Sequence, residues 1–321
     1  TSIGRSFLLK TIITEEMRFR QRVVKYALKH NNNAKAARRY HTSRQQVQRW
    51  RKKYDGTVQS LANKSTRPHS HPNQHTKDEL KLIKHMYRYH GHEGLAQVYR
   101  KLKDNGYTRS YDAMCRQIRM MKLSKRTERP KSYPKSSYKK VTSTYPGERV
   151  QIDVKFVPVD CIGFSSSQSR YYQITAIDEY SRKRYMELVN ENSTYTTSNF
   201  LTRLEEKLGF KIYLVQTDNG FEFVNDSERT SKITRFQKVL KRLNIKHKRT
   251  RPYSPWQNGI VERSHRIDNE RFYNKKRFIS YREMEKSFYR YANRYNNISK
   301  KILNFKTPNE IVSGFNFKDV A

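Results

Sequence analysis

Three carboxylates in this chain sit where an ordinary surface acid would not. Asp153 interrupts the β-branched run VQIDVKFV, Asp218 follows the apolar run IYLVQT, and Glu262 falls in the first turns of the helix expected from PWQNGIVERSHR. Two strands and a helix that bring three carboxylates together make an all-oxygen donor set, suited to Mg²⁺ or Mn²⁺ and not to Zn²⁺. Such a set can hold two ions about 3.5–4 Å apart, one beside the attacking and one beside the leaving oxygen of a phosphoryl transfer. The composition points to the phosphate: 68 Lys and Arg against 29 Asp and Glu give a net charge of +39, and the natural partner is nucleic acid.

The elements that must position these acids lie in the second half. RVQIDVKFVPV, SRYYQITAIDEY and KRYMELVNEN read as three strands in a meander, followed by the helix TYTTSNFLTRLEEKLG and the strand KIYLVQT. A helix in TRFQKVLKRLN, a short strand in IKHKRTRP and two terminal helices complete an α/β domain with a mixed five-stranded sheet. Asn258, Glu262 and His265 or Arg266 recur at helical spacing and share one face; with Arg263 they form a DNA-facing group, and Gly259 lets a DNA backbone come close. Asp178 and Glu179, in AIDEYSR, compete with the three acids but read as turn residues.

The first half is the more basic, with a net charge of +26 in residues 1–150 and +13 in residues 151–321. Residues 15–54 read as three helices, capped at Thr14 and at Thr42 or Ser43, the last one dense in Arg and Gln. That is the pattern of a helix-turn-helix, with Val47 and Trp50 inward and Arg44, Gln45, Gln48, Arg49 and Lys52 toward the major groove. A second trihelical pattern fills 76–123, capped at Thr76 and Ser110, with Tyr111, Arg116, Gln117 and Arg119 as its DNA-facing set. Between the two lies a Pro- and Ser-containing linker, 56–75, whose His69, His71 and His75 lack the Cys partners of a zinc site. A second, strongly basic linker spans 124–147; the catalytic core is assigned to 148–298 and a tail to 299–321.

The residues IDVKFV, TDNGFEF and PYSPWQNGIVERSHR, in this order, resemble the catalytic core of DDE transposases of bacterial insertion sequences, which is related to retroviral integrases. The resemblance implies a multidomain chain, two all-α helix-turn-helix domains (1–55 and 76–123) ahead of a ribonuclease H-like core. It also implies that Asp153, Asp218 and Glu262 are the metal-binding catalytic triad. Asn219 matches the turn after the second acid, and Asn258 and Gly259 match the N-G before the Glu. The 43 residues between Asp218 and Glu262 exceed the spacing of many relatives, and NDSERTSK (225–232) reads as the loop that accounts for it.

The expected activity is hydrolytic nicking of double-stranded DNA at transposon terminal repeats, followed by transfer of the 3′-OH into target DNA, by a homodimer or higher assembly. Other readings are a metal-dependent nuclease and a DNA-binding regulator without catalysis. Two cysteines without a C-x-x-C pair fit a reducing cytoplasm, and no run is long and apolar enough to suggest a membrane span.

Overall fold

In the computed structural model, residues 13–63, 68, 71–124, 142–165, 170–225, 230, 232–251 and 254–317 are described. The basic linker 124–147 and His69 therefore lie largely or wholly outside the described residues. The chain forms two compact units, residues 1–74 and 75–321.

The first unit holds α1 (Glu15–Lys29), α2 (Asn33–Arg39) and α3 (Arg44–Lys53), whose N-caps are the side chains of Thr14, Asn32 and Ser43. Each cap satisfies an orphan N–H of a first turn. Val23, Ala27, Ala36 and Val47 close the core, with Phe19, Tyr26, Tyr40 and Trp50 packed around it. The unit runs beyond residue 55, into the stretch read as linker. A 3₁₀ turn at Gln59–Leu61 buries Leu61 completely, and Arg20 donates to the Leu61 carbonyl at 2.8 Å and to Asn63 Oδ1 at 2.6 Å.

The second unit begins with α4 (Lys77–His90), α5 (Leu95–Asp104) and α6 (Tyr111–Met120), built on Ile83, Val98, Leu102, Met114 and Ile118. His75 meets the Tyr107 hydroxyl at 2.8 Å. This helical domain is fastened to the remainder of the unit. Arg271 and Arg294 both bond Glu93, to its carbonyl and its carboxylate; Ser299 N donates to Gln97 Oε1 at 2.8 Å, and Arg100 pairs with Glu310 at 3.1 Å.

The core sheet runs β3-β2-β1-β4-β5, with β1 (Val150–Phe156), β2 (Tyr172–Asp178), β3 (Arg184–Val189), β4 (Leu214–Thr217) and β5 (Lys246–Arg249). The pairs β1·β2 and β2·β3 are antiparallel, while β1·β4 and β4·β5 are parallel. This is the expected mixed five-stranded sheet. One face is apolar: Val150, Ile152, Ile174, Ala176 and Val215 pack on α7 (Thr194–Leu208) and α8 (Arg235–Arg242) through Phe200, Leu204, Phe236 and Leu240. Alternation along a strand sends the intervening residues to the opposite face. That face carries Gln151, Asp153, Lys155, Gln173 and Gln216, and it is covered by α9 (Gly259–Arg271), with α10 (Tyr281–Tyr295) beyond it.

The described residues after 298, 299–317, are folded as well. Helix α11 (Pro308–Ser313) has a Thr307–Glu310 capping box, and its Val312 joins the apolar core.

His247 on β5 is held against Thr217 Oγ1 at 3.0 Å and edge-on to Phe236, and burial, then Arg249, lowers its pKa to about 4. Between the unfolded value of about 6.5 and about 4, the unfolded chain binds a proton that the folded chain refuses. Stability from this site is therefore present above pH 6.5 and declines as pH falls to 4, on the order of 2 kcal/mol after discounting for partial solvent access. Urea midpoints measured across that window should flatten in His247→Gln; an unchanged slope would show that other groups set the pH dependence.

Candidate active site

The site is assembled by register. Gln151 on β1 pairs with Gln216 on the parallel β4, so two residues further on Asp153 stands beside Asp218, and all four side chains share one face. Along β1 the odd-numbered residues meet successive turns of α9. Gln151 Oε1 accepts from Val261 N at 3.2 Å, Asp153 Oδ2 is 3.3 Å from His265 Nδ1, and Lys155 Nζ lies 2.6 Å from Asn269 Oδ1. Gln151 and Gln216 both donate to the Gln257 carbonyl, at 3.2 and 2.8 Å, and Gln216 also donates to Asn258 Oδ1 at 2.9 Å. The start of the Glu262 helix is thus fixed by amides from the two strands that carry the aspartates.

The electrostatics follow from this crowding. Burial first and Asp153 among the neighbours raise the pKa of Asp218, although Gly220 N donates to its Oδ1 at 3.0 Å. Glu262, exposed at the helix surface, is raised by partial desolvation, then by Asp153, with Asp218 adding to it. Asp218 and Glu262 resist ionisation because they are partly desolvated and stand near other acids, which is what a bound cation would relieve. Among the described residues, no group of three or more His, Cys, Asp or Glu side chains is placed so that it could hold a metal ion as it stands. The three acids lie within electrostatic reach of one another, and their all-oxygen chemistry fits a hard divalent ion.

A fourth acid was not singled out in the sequence. Glu222 is raised by burial, then by Asp218 and, more weakly, by Asp153. Its carboxylate folds over Gly220 so closely that a Cβ there would lie 2.6 Å from its Oε2, so a side chain at residue 220 would require the Glu222 carboxylate to swing aside. The signal was present as the Glu of TDNGFEF.

Three of the proposed DNA-facing residues are taken up by packing instead. Asn258 is 4% exposed and bound to Gln216; His265 is 8% exposed and faces Asp153; the Tyr111 ring packs on Tyr99 and Phe305 beneath Lys301. A helical face directed at a second protein layer has the same spacing as one directed at solvent. Arg44, Gln45, Gln48, Arg49 and Lys52 lie exposed along α3, as do Arg116 and Arg119 on α6 and Arg263 on α9. Asn219 is exposed while its amide donates to the Thr250 carbonyl at 3.0 Å. Arg266 pairs with Glu270 at 2.9 Å rather than with Glu262. A Cβ on Gly259 would meet nothing within 4 Å, so the space above it is open. Asp178 is a turn residue: buried, it accepts from Gly147 N, Ser181 N and Ser181 Oγ.

Two family profiles, both described as integrase core domain, match residues 143–255 and 243–300, and a helix-turn-helix domain profile matches residues 19–69. A candidate integrase, ORF3 of Spiroplasma virus SpV1-C74, is 30% identical over 169 residues, which span 50% of this chain and 46% of that protein. The simian T-cell lymphotropic virus intasome in complex with PP2A regulatory subunit B56 gamma aligns at 17% identity over 72% of this chain and 74% of its own, with a TM-score of 0.42. The HTLV-2 integrase catalytic core domain in complex with magnesium aligns at 18% identity over 52% and 97%, with a TM-score of 0.38.

Integrase core domain profiles thus match residues 143–300, behind a helix-turn-helix profile at residues 19–69, and this order supports a function of the DNA transposase and integrase kind. It is consistent with the insertion-sequence DDE transposases that the sequence resembles. Among the described residues no helix is long and apolar enough to cross a membrane.

Proposed function

We propose that this chain is a DDE transposase that binds the terminal repeats of a mobile element, nicks them, and joins the freed 3′-OH to target DNA. The observation that carries this reading is the register of the parallel strands β1 and β4, which sets Asp153 on β1 near Asp218 just past the end of β4, under a helix that carries Glu262. Two Mg²⁺ or Mn²⁺ ions held by these carboxylates would supply charge stabilisation to the attacking and leaving oxygens of an in-line displacement. The chain's own contribution is to hold the acids rigid. His265 orients Asp153, the Gly220 amide orients Asp218, and Gln151 with Gln216 sets the height of the Glu262 helix above the sheet. In the first step water attacks a phosphodiester and the 3′-oxygen leaves; in the second that 3′-hydroxyl attacks a target phosphate and displaces another 3′-oxygen.

End recognition falls to Arg44, Gln45, Gln48, Arg49 and Lys52 in the first helical unit and to Arg116 and Arg119 in the second. Because Glu93, Gln97 and Arg100 tie the second helical domain to the core, α6 would deliver the bound end at a fixed distance from Glu262. Joining two ends calls for at least a dimer on DNA. The test is a strand-transfer assay with Mg²⁺, a labelled duplex carrying the element's ends, and a supercoiled plasmid. Labelled 3′ ends joined to plasmid are expected. Nicking without joining would turn the reading to a nuclease, and specific binding without cleavage in either metal to a regulator.

A further inference from the structure

A cleft of about 1110 Å³ opens on the flank of α9, walled by residues 92–96 of the second helical domain and by residues 298–302. At 3.6 residues per turn, Arg263 lies about 100° around the helix from Glu262, and Ile260 and Ile267 lie about 160° and 140° around. Arg263 thus stands between the acidic site and the cleft, and a chain leaving Glu262 across Arg263 enters it.

The lining has two characters. Ile260, Ile267, Ile298 and Ile302 give an apolar floor, and Ile302 is 69% exposed. Around it stand seven Arg and Lys side chains against two carboxylates, and both carboxylates are already bonded, Glu93 by Arg294 and Glu270 by Arg266. Burial lowers the pKa of two of the cations, Arg182 and Lys300, and Lys300 lies over the Tyr295 ring, 3.6 Å from its centroid. Cations held in a desolvated wall gain from an anion that brings its own apolar surface.

We propose that this cleft takes an unpaired stretch of DNA leading away from the Glu262 site, with phosphates on Arg263, Lys275 and Lys301 and bases on Ile260, Ile267 and Ile302. Only an unpaired strand offers both surfaces at once, because a duplex keeps its base faces stacked inside. The proposal rests on the DNA-processing reading above and extends it to a site apart from the triad.

The test is fluorescence anisotropy on the full chain in EDTA, in an Asp218→Asn background, with a labelled oligothymidine of about 12 nucleotides and a duplex of the same length. Ile302→Glu and Lys275→Glu change exposed side chains, so loss of folding is not expected, and unchanged melting temperatures would verify this. Together they should weaken oligothymidine binding about tenfold or more, with duplex binding within about twofold, and Ile302→Trp should strengthen it. Unchanged oligothymidine binding, or equal loss on duplex and single strand, would overturn the proposal. Thymidine monophosphate binding as tightly as the oligomer would also overturn it, reducing the cleft to an anion pocket. Because neither metal nor cleavage enters the assay, the two readings fail separately: a protein that joins strands yet ignores both changes loses only the cleft.

Discussion

Asp218→Asn is expected to lower strand transfer by roughly 10³-fold or more while end binding stays within about twofold. The substitution keeps the size and the hydrogen bond from the Gly220 amide, and removes one charge from a group of acids that share a face. What is lost is an anionic oxygen that would hold the divalent ions, whose positive charge would offset the negative charge developing on the reacting phosphate. Binding is proposed to rest on the exposed cations of α3 and α6, on other elements, so the two activities should separate. A companion measurement reports on the site without turnover. Asp218 helps to hold up both Glu262 and Glu222, so in Asp218→Asn both carboxyls should titrate lower, as followed by carboxyl NMR shifts. Equal loss of binding and transfer would mean that the change had disturbed the fold. Retained transfer would remove Asp218 from the proposed triad.

The sequence made the sheet legible because VQIDVKF alternates apolar and polar residues, as QITA in β2 does. It did not say what lies on the polar face. Polar alternation ordinarily marks solvent, yet here Gln151, Asp153 and Lys155 each meet a turn of α9. That is why Asn258 and His265 read as DNA-facing: the turn-by-turn spacing of a helix does not tell a polar protein surface from a polynucleotide. Tyr111 misled for a related reason, since its partner Phe305 lies far along the chain in the stretch read as a tail. The domain boundaries were drawn from Pro and Ser content. The bonds that fasten the second helical domain to the core join Glu93, Gln97 and Arg100 to residues about two hundred positions away, and no local composition carries that signal.

The same blindness hid a buried ion pair that ties β3 to the Glu262 helix, and its disruption should have the largest effect on stability. Arg184 on β3 and Asp268 on α9 are fully buried, 2.8 Å apart, where Asp268 also accepts from Gln173 and Tyr291, and Arg184 donates to Ser264 and lies over the Tyr295 ring. Burial alone would raise the Asp268 carboxyl. The Arg184 charge and the three donors outweigh it and hold the group below the usual carboxylate range. Asp268→Asn strands an uncompensated guanidinium inside the protein, and should cost about 3–5 kcal/mol out of the roughly 5–15 kcal/mol typical of a whole domain. The matched change Arg184→Met with Asp268→Leu removes both charges and should restore most of that loss, because two charges taken from water are only partly repaid by their attraction. Urea midpoints of the single and double variants decide the matter. If the double variant is no more stable than the single, the pair contributes through its hydrogen bonds to Gln173, Ser264 and Tyr291 rather than through charge. Strand transfer gives an independent reading. The double variant, stable but without its polar tie between β3 and α9, should join strands more slowly than wild type if that tie helps to set the position of Glu262 over the two aspartates.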